Sequence, residues 1–163
     1  MKKDKKHDIQ IISYLARKLD LDIRELKEPV LSDYGMFPKA KAILYLANRR
    51  AIAIDALKLI KEDFYVIGTN LYLQVFEDLK ELDDREDLLS EEEKLEIDFI
   101  LKAYPDNNSL YIGLNNSQEL RKFYITPENI LRDIKDWTKK EKLNWLIDTA
   151  TFELEDMEIF NKL

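Results

Sequence analysis

In several segments of this chain, apolar residues recur every three or four positions, which is the spacing of an α-helix. Between Ile9 and Leu19 the apolar residues keep this spacing, and Asp8 just before them can cap a helix. The preceding residues 1–7, MKKDKKH, carry four lysines, and we expect them to form a flexible basic tail. The pattern therefore predicts a first helix that begins at Asp8.

A short second helix is predicted from Leu21 to Lys27, because Pro29 disfavours helical backbone at Glu28. Residues 32–38, SDYGMFP, have the composition of a loop.

Residues 39–62 admit two interpretations. Their apolar residues fall on one helical face and their alanines favour a helix, yet AILYL and AIAID, separated by NRR, are also compatible with a hairpin. We prefer one long helix.

The middle of the chain predicts a strand and then two helices. FYVIG, residues 64–68, is rich in β-forming residues, and Thr69 or Asn70 can start the helix that follows. Ser90 and Glu93 form the S-x-x-E pattern of a capping box, so a second helix is expected from there to just before Pro105.

The last third of the chain predicts two further strands, at residues 109–114 and 121–126, which flank a turn-like NNSQEL. Helices are expected after Pro127 and over residues 142–147. Residues 150–155 alternate in polarity and could pair as an edge strand, although residues 150–160 are equally compatible with a final helix.

These elements predict a predominantly helical α+β fold. Only three glycines and four prolines occur among 163 residues, which is too few for a barrel of many short strands. We expect a single globular domain over residues 8–163, with six to seven helices and a small antiparallel sheet. Its strands would lie near residues 64–68, 109–114 and 121–126, with 150–155 as a further candidate.

Composition excludes most familiar catalytic sites. The chain has no cysteine, no phosphate-binding glycine loop and a single histidine, His7, which we expect to be solvated in the basic tail. We therefore expect no enzymatic activity and no cofactor. The N-terminus lacks the unbroken apolar run of a secretory signal, and together with the missing cysteines this favours the cytoplasm.

The charges are distributed unevenly. The formal balance is +5 over residues 1–62, −9 over residues 63–104 and −3 over residues 105–163. Residues 81–98, ELDDREDLLSEEEKLEID, contain ten carboxylates and two cations, and we call them the acidic segment. Such a segment can attract a basic partner over long range. The predicted contact residues are Glu81, Asp83, Asp84, Glu86, Asp87, Glu91 and Glu92.

A metal site is not the preferred interpretation of the acidic segment. A calcium-binding loop needs a glycine at its sixth position, and no glycine lies between Gly68 and Gly113. A weak magnesium site built from Asp83 and Asp87 stays an alternative, because magnesium needs fewer protein ligands.

A nucleic-acid interface is a second hypothesis. Residues 15–28 have the apolar spacing of a helix-turn-helix, in which Arg17, Lys18 and Arg24 could contact phosphates. Against it, Asp20 stands where the tight turn usually has glycine, and Pro29 keeps the second helix short.

The preferred function is a non-catalytic, acidic protein-binding module. One form would be an immunity or antitoxin-like inhibitor that covers the basic surface of a toxin or nuclease, with carboxylates in place of phosphates. A DNA-binding regulator is the alternative, and nucleic acid and membrane are not the expected partners of the preferred form.

Overall fold

The structure, a computed structural model, describes residues 2–55, 57–67 and 70–121. This part of the chain has a predominantly helical α+β fold with six helices and two small antiparallel sheets, as the sequence predicts. The elements in chain order are α1 (Lys3–Leu19), α2 (Ile23–Lys27), β1 (Pro29–Ser32), β2 (Gly35–Pro38), α3 (Lys39–Asp55), β3 (Tyr65–Ile67), β4 (Asn70–Tyr72), α4 (Gln74–Asp78), α5 (Glu91–Ala103) and α6 (Asn107–Arg121). The predicted elements beyond residue 121 lie outside the described residues.

The core forms where α1, α3, α5 and α6 pack against one another. Each of these helices contributes an apolar stripe at helical spacing, and burying such stripes is the main force that stabilises a fold of this kind. Fully or almost fully buried side chains include Ile11 and Leu15 of α1, Ile43 and Leu44 of α3, Ile97 of α5 and Leu110 of α6.

The predicted flexible tail at residues 1–7 is wrong from Lys3 onward. Helix α1 begins at Lys3, and His7 lies in its second turn with only 6% of its surface exposed. Asp8 does not cap this helix. Instead its buried carboxylate accepts hydrogen bonds from the backbone N–H groups of Lys61 (2.9 Å) and Glu62 (3.0 Å). Asp8, the residue predicted to cap the helix, therefore stabilises the loop at Lys61 and Glu62.

Residues 39–55 form one helix, α3, so the hairpin interpretation is wrong. The predicted continuation to residue 62 is also wrong, because the residues after the helix turn back along it. The side-chain carbonyl of Asn48 accepts the backbone N–H of Ile60 at 3.0 Å. The buried backbone N–H of Ile60 therefore has an acceptor although Ile60 is not part of a helix.

Residues 29–38, part of which was predicted as a loop, form the hairpin β1–β2. The Ser32 hydroxyl accepts the backbone N–H groups of Tyr34 and Gly35 at 3.1 Å each, which closes the two-residue turn. Proline stands at each end of this hairpin, at Pro29 and Pro38, where its missing N–H is tolerated at a sheet edge.

The strand predicted at residues 64–68 is confirmed as β3, which pairs with β4 in a second hairpin. The helix expected from Thr69 or Asn70 is wrong at its start, since Asn70–Tyr72 is strand β4 and the helix begins at Gln74.

The strand predicted at residues 109–114 is wrong, because these residues lie within α6. The Asp106 carboxylate accepts the backbone N–H of Ser109 at 2.7 Å, as a helix cap does. Gly113 lies against the buried Tyr104, so closely that a Cβ atom there would come within 2.6 Å of the Tyr104 ring. Close packing against neighbours outweighs the strand preference of LYIGL.

Capping boxes begin two of the described helices. The predicted capping box of α5 is confirmed, with the Ser90 hydroxyl accepting the Glu93 N–H at 3.1 Å and the Glu93 carboxylate accepting the Ser90 N–H at 2.9 Å. Asp22 and Glu25 form a second capping box at α2. None of the described helices is long and apolar enough to cross a membrane.

Candidate functional site

Side chains of α1 hold the acidic segment by accepting hydrogen bonds from its backbone N–H groups. The Ser13 hydroxyl accepts the backbone N–H of Asp83 at 2.8 Å, and the side-chain carbonyl of Gln10 accepts that of Leu88 at 3.0 Å. Ser13 and Gln10 are both buried in the face of α1 that packs on the segment. The first part of the acidic segment is therefore ordered by polar groups of α1.

Asp83 and Asp87, the alternative magnesium ligands, share a donor from α1. The amide nitrogen of Gln10 donates to Asp87 at 3.0 Å and contacts Asp83 at 3.4 Å. Asp83 also accepts the Arg85 guanidinium at 3.1 Å, which lowers the pKa of the Asp83 carboxyl. Protein donors thus occupy both carboxylates, and among the described residues no group of three or more candidate ligands could hold a metal ion.

Glu86 is bound by two cations. Arg17 of α1 donates to the Glu86 carboxylate and to the Asp83 carbonyl, both at 2.7 Å, and Lys94 of α5 contacts Glu86 at 3.0 Å. The hydrogen bonds from Lys94 and Arg17 lower the pKa of the Glu86 carboxyl. Glu86 thereby connects the first helix to the fifth.

A buried cluster forms around His7, contrary to the expectation that this histidine is solvated. Its Nε2 bonds to the Glu93 carboxylate, and its Nδ1 lies 3.2 Å from the Asp8 carboxylate. Burial alone would lower the pKa of His7, but the hydrogen bonds to Asp8 and Glu93 outweigh it and raise the pKa to about 9. The imidazole is therefore a buried cation at neutral pH, held between two carboxylates.

The far end of the acidic segment is also paired within the chain. Glu96 forms a buried ion pair with Arg50 of α3, whose guanidinium lies 3.9 Å from the centre of the Phe99 ring. Asp98 accepts the Tyr14 hydroxyl at 2.9 Å and lies 3.8 Å from the Lys18 ammonium.

The seven predicted contact residues therefore divide into two groups. Asp83, Glu86 and Asp87 are hydrogen-bonded to α1. In the described part of the chain the other four make no hydrogen bond to α1 and are exposed, and Asp87 is exposed as well; the four are Glu81, Asp84, Glu91 and Glu92. The outward negative surface is thus smaller than the sequence predicts, because ion pairs such as Arg17–Glu86 and Arg50–Glu96 join cations of residues 1–62 to carboxylates of residues 63–104.

An apolar residue lies beside two of these exposed carboxylates. Leu95 is 64% exposed, and it follows Glu91 by four residues and Glu92 by three on α5. These spacings place the three side chains next to one another on one helical face. We call Glu91, Glu92 and Leu95 the α5 face.

Two of the three cations in the nucleic-acid hypothesis already contact residues of the acidic segment. Arg17 is engaged by Glu86 and Asp83, and Lys18 lies near Asp98, while Arg24 is exposed. Asp20 adopts the left-handed backbone conformation (φ 54°) that a tight turn requires. However, α2 has five residues, about 8 Å at 1.5 Å per residue, which is short for a recognition helix.

Sequence reasoning missed the buried pairs His7–Glu93 and Arg50–Glu96. A local signal existed for the first, since His7 precedes the buried Ile11 and Leu15 by four and eight residues and so continues their helical stripe. No local signal exists for the second, because Arg50 and Glu96 are 46 residues apart.

Comparison of the chain with protein-family models, with curated proteins and with solved structures found no match. The proposals below rest on the chain's own residues.

Proposed function

We propose that this chain is a non-catalytic protein-binding module that meets a basic partner through the α5 face. The observation that carries the proposal is the exposed Leu95 beside the exposed carboxylates of Glu91, which also lies 3.3 Å from the Lys94 ammonium, and Glu92. Protein interfaces commonly combine an apolar anchor with a polar rim, and here the rim is negatively charged.

The charges and the anchor would contribute differently. The exposed carboxylates of the acidic segment would attract a basic surface over long range and increase the association rate; they are Glu81, Asp84, Asp87, Glu91 and Glu92. Leu95 would lose its contact with water in the complex and slow dissociation. The intramolecular ion pairs of Glu86, Glu93 and Glu96 hold α5 in place, so the face would bind with little rearrangement.

The specific form of this proposal is an immunity or antitoxin-like inhibitor that covers the basic surface of a toxin or nuclease. Exposed carboxylates on a rigid helix can occupy positions that nucleic-acid phosphates would otherwise take. A cytoplasmic location, expected from the absence of cysteine, belongs to the same proposal.

The test is a pull-down with the tagged full-length chain and elution in steps of increasing salt. We compare wild type with Glu91→Gln/Glu92→Gln and with Leu95→Ala. The matched control is Asp20→Asn/Glu28→Gln, which removes the same number of exposed negative charges elsewhere. A basic protein should bind to wild type and control, elute at moderate salt, and be lost with both α5 variants. Equal capture by all four proteins would contradict the proposal.

The DNA-binding alternative has less support, because Arg17 is bound to Glu86 and α2 is short. A gel-shift series at low salt distinguishes it. Retention of DNA by wild type and its loss in Lys18→Ala/Arg24→Ala would favour a regulator.

A further inference from the structure

A groove lies between the two hairpins and the helices α3 and α6, remote in sequence from the α5 face. Its volume is about 460 Å³, within the range of about 300–1,000 Å³ that is usual for small-molecule sites. Met36, 64% exposed, and Tyr72, 40% exposed, stand at its rim. Buried apolar side chains form its floor; they are Phe37, Ala42, Leu71 and Leu114.

The aromatic wall of the groove is fixed by its own neighbours. The centre of the Tyr111 ring lies 5.5 Å from that of Phe37 and 6.3 Å from that of Tyr34, and the rings of Tyr34 and Tyr111 are within 5° of parallel. These distances are typical of favourable aromatic pairs. An aromatic ligand would therefore meet the Tyr111 ring in a position that is already set, which lowers the cost of binding.

One charged group, the Lys41 ammonium, lines this otherwise apolar groove. The Lys41 side chain is only 9% exposed, and its Nζ donates to the Leu71 carbonyl at 2.9 Å and to the Glu77 carboxylate. An ammonium has three N–H donors, and in the described part of the chain the third has no acceptor. A buried donor is stabilised by an acceptor, so the groove favours a ligand that supplies one.

Glu77 decides which charge a suitable ligand carries. Its carboxylate already balances the charge of Lys41. A second carboxylate on the same ammonium would lie close to Glu77 and be repelled by it, whereas a neutral acceptor would not. The groove therefore favours an uncharged acceptor.

The volume of the groove sets the size of the ligand. An apolar cavity of about 150 Å³ accepts benzene, so a groove of about 460 Å³ has room for two fused rings. We infer that the groove binds a neutral, bicyclic aromatic molecule whose hydrogen-bond acceptor meets the Lys41 ammonium. The thioether of Met36 and the rings of Tyr72 and Tyr111 provide surfaces on which such rings pack well. This inference is independent of the proposed function, because the α5 face is not part of the groove.

Three small probes test the inference in the full-length chain at neutral pH. Quinoline carries a neutral acceptor, naphthalene has the same shape without one, and naphthoate is an anion. Met36 reports binding, because the methyl resonances of the three methionines can be isotope-labelled and that of Met36 assigned with Met36→Leu. Quinoline should shift the Met36 resonance in a saturable manner. No shift, or a shift that rises linearly with quinoline, would overturn the proposal. A shift that depends on protein concentration alone would assign the groove to a second copy of the chain instead.

The role of Lys41 is tested by Lys41→Met. This variant should lower the affinity for quinoline relative to naphthalene about tenfold, because the hydrogen bond from a charged donor is lost. The matched control is Lys27→Met, since Lys27 also donates to backbone carbonyls, those of Glu77 and Leu79, but does not line the groove. Its affinity ratio should equal that of wild type. An unchanged ratio in Lys41→Met would contradict the inference.

A further variant leaves the buried lysine in place. Glu77→Gln removes the counter-charge of Lys41, and the fold should tolerate it because the Glu77 side chain is 36% exposed. Naphthoate should bind wild type more weakly than quinoline, and Glu77→Gln should increase its affinity about tenfold while that of quinoline changes little. Tighter binding of naphthoate than of quinoline to wild type, or an equal response of both probes to Glu77→Gln, would overturn the assignment of a neutral ligand at Lys41.

Discussion

His7 in α1 and Glu93 in α5, 86 residues apart in sequence, form a buried hydrogen-bonded ion pair. The same Glu93 carboxylate accepts the Ser90 N–H in the capping box, and the other nitrogen of His7 lies 3.2 Å from Asp8. The Glu93 side chain thus connects the start of α5 to α1. Asp8, next to His7 in α1, connects the same region to the loop at Lys61 and Glu62.

The first prediction concerns stability against pH. The pKa of His7 is raised to about 9 in the folded protein from 6.5 in the unfolded chain. Its contribution is therefore fully present below about pH 6.5 and is lost as the pH rises through about 9. The loss should reach about 3 kcal/mol, at ~1.4 kcal/mol per pH unit. Urea unfolding at intervals from pH 6 to 10 measures it.

The contribution of Glu93 to stability depends on pH in the opposite direction. Burial opposes ionisation of Glu93, but hydrogen bonds from His7 and Ser90 lower the pKa of the folded carboxyl below its usual 4.5. The contribution of Glu93 is therefore lost as the pH falls through this lowered value.

The control for the loss of stability at alkaline pH is His7→Gln, which keeps a hydrogen-bond donor but does not titrate. Its free energy of unfolding should stay level between pH 6.5 and 9. As His7 is the only histidine, its ring proton resonances report its pKa directly, and a value near 6.5 would refute the prediction.

The second prediction concerns the buried pair Arg50–Glu96. Arg50→Met should lower the free energy of unfolding by about 3–5 kcal/mol, because it removes one member of a buried ion pair. Arg50→Met/Glu96→Leu should recover most of this loss, since two apolar side chains replace the pair. Lys94→Ala, at the partly exposed pair with Glu86, should cost less than about 1 kcal/mol. An equal loss in the single and double variants at the buried pair would contradict the expectation.

The third prediction concerns Asp8. Asp8→Ala removes the acceptor of two backbone N–H groups, and the unsatisfied donors should cost about 2–3 kcal/mol. Hydrogen exchange at Lys61 and Glu62 should accelerate more than exchange in α1. Asp8→Asn keeps one acceptor and should show a smaller effect. Uniform acceleration over all described elements would indicate general destabilisation and not the loss of a loop anchor.

The fourth prediction concerns Gly113. Alanine in the middle of a helix is usually about 1 kcal/mol more stable than glycine. Here a Cβ atom would meet the buried Tyr104 ring at 2.6 Å, so Gly113→Ala should destabilise the protein by about 1–3 kcal/mol. Thermal unfolding of Gly113→Ala beside Gly113→Ala/Tyr104→Leu checks the cause, because the smaller side chain should relieve part of the loss. A stabilised single variant would show that Tyr104 moves at no cost.

The elements that the sequence predicts well depend on neighbouring residues. The capping box of α5 requires only Ser90 and Glu93, three positions apart, and the β-rich run at residues 64–68 needs only its own composition to form β3. These signals act within a turn or a strand, so they are visible without knowledge of the fold.

The errors occur where a distant contact decides the local structure. LYIGL has the composition of a strand, but its residues pack on α3 as a helix, with Gly113 against Tyr104. The basic residues from Lys3 onward lie in α1, whose His7 bonds to Glu93, and the residues after α3 turn back so that Ile60 donates to Asn48.

The sequence by itself determined the predominantly helical α+β class, the capping box that starts α5 and an uneven charge distribution, because periodicity, caps and composition are local properties. Only the tertiary structure decided which charges remain outward. Packing α1 on the acidic segment pairs Glu86, Glu93 and Asp98 with cations of α1 and leaves Glu91, Glu92 and Leu95 exposed. A charge can be counted in the sequence, but its partner is set by the folded chain, because electrostatic interactions depend on distance in space.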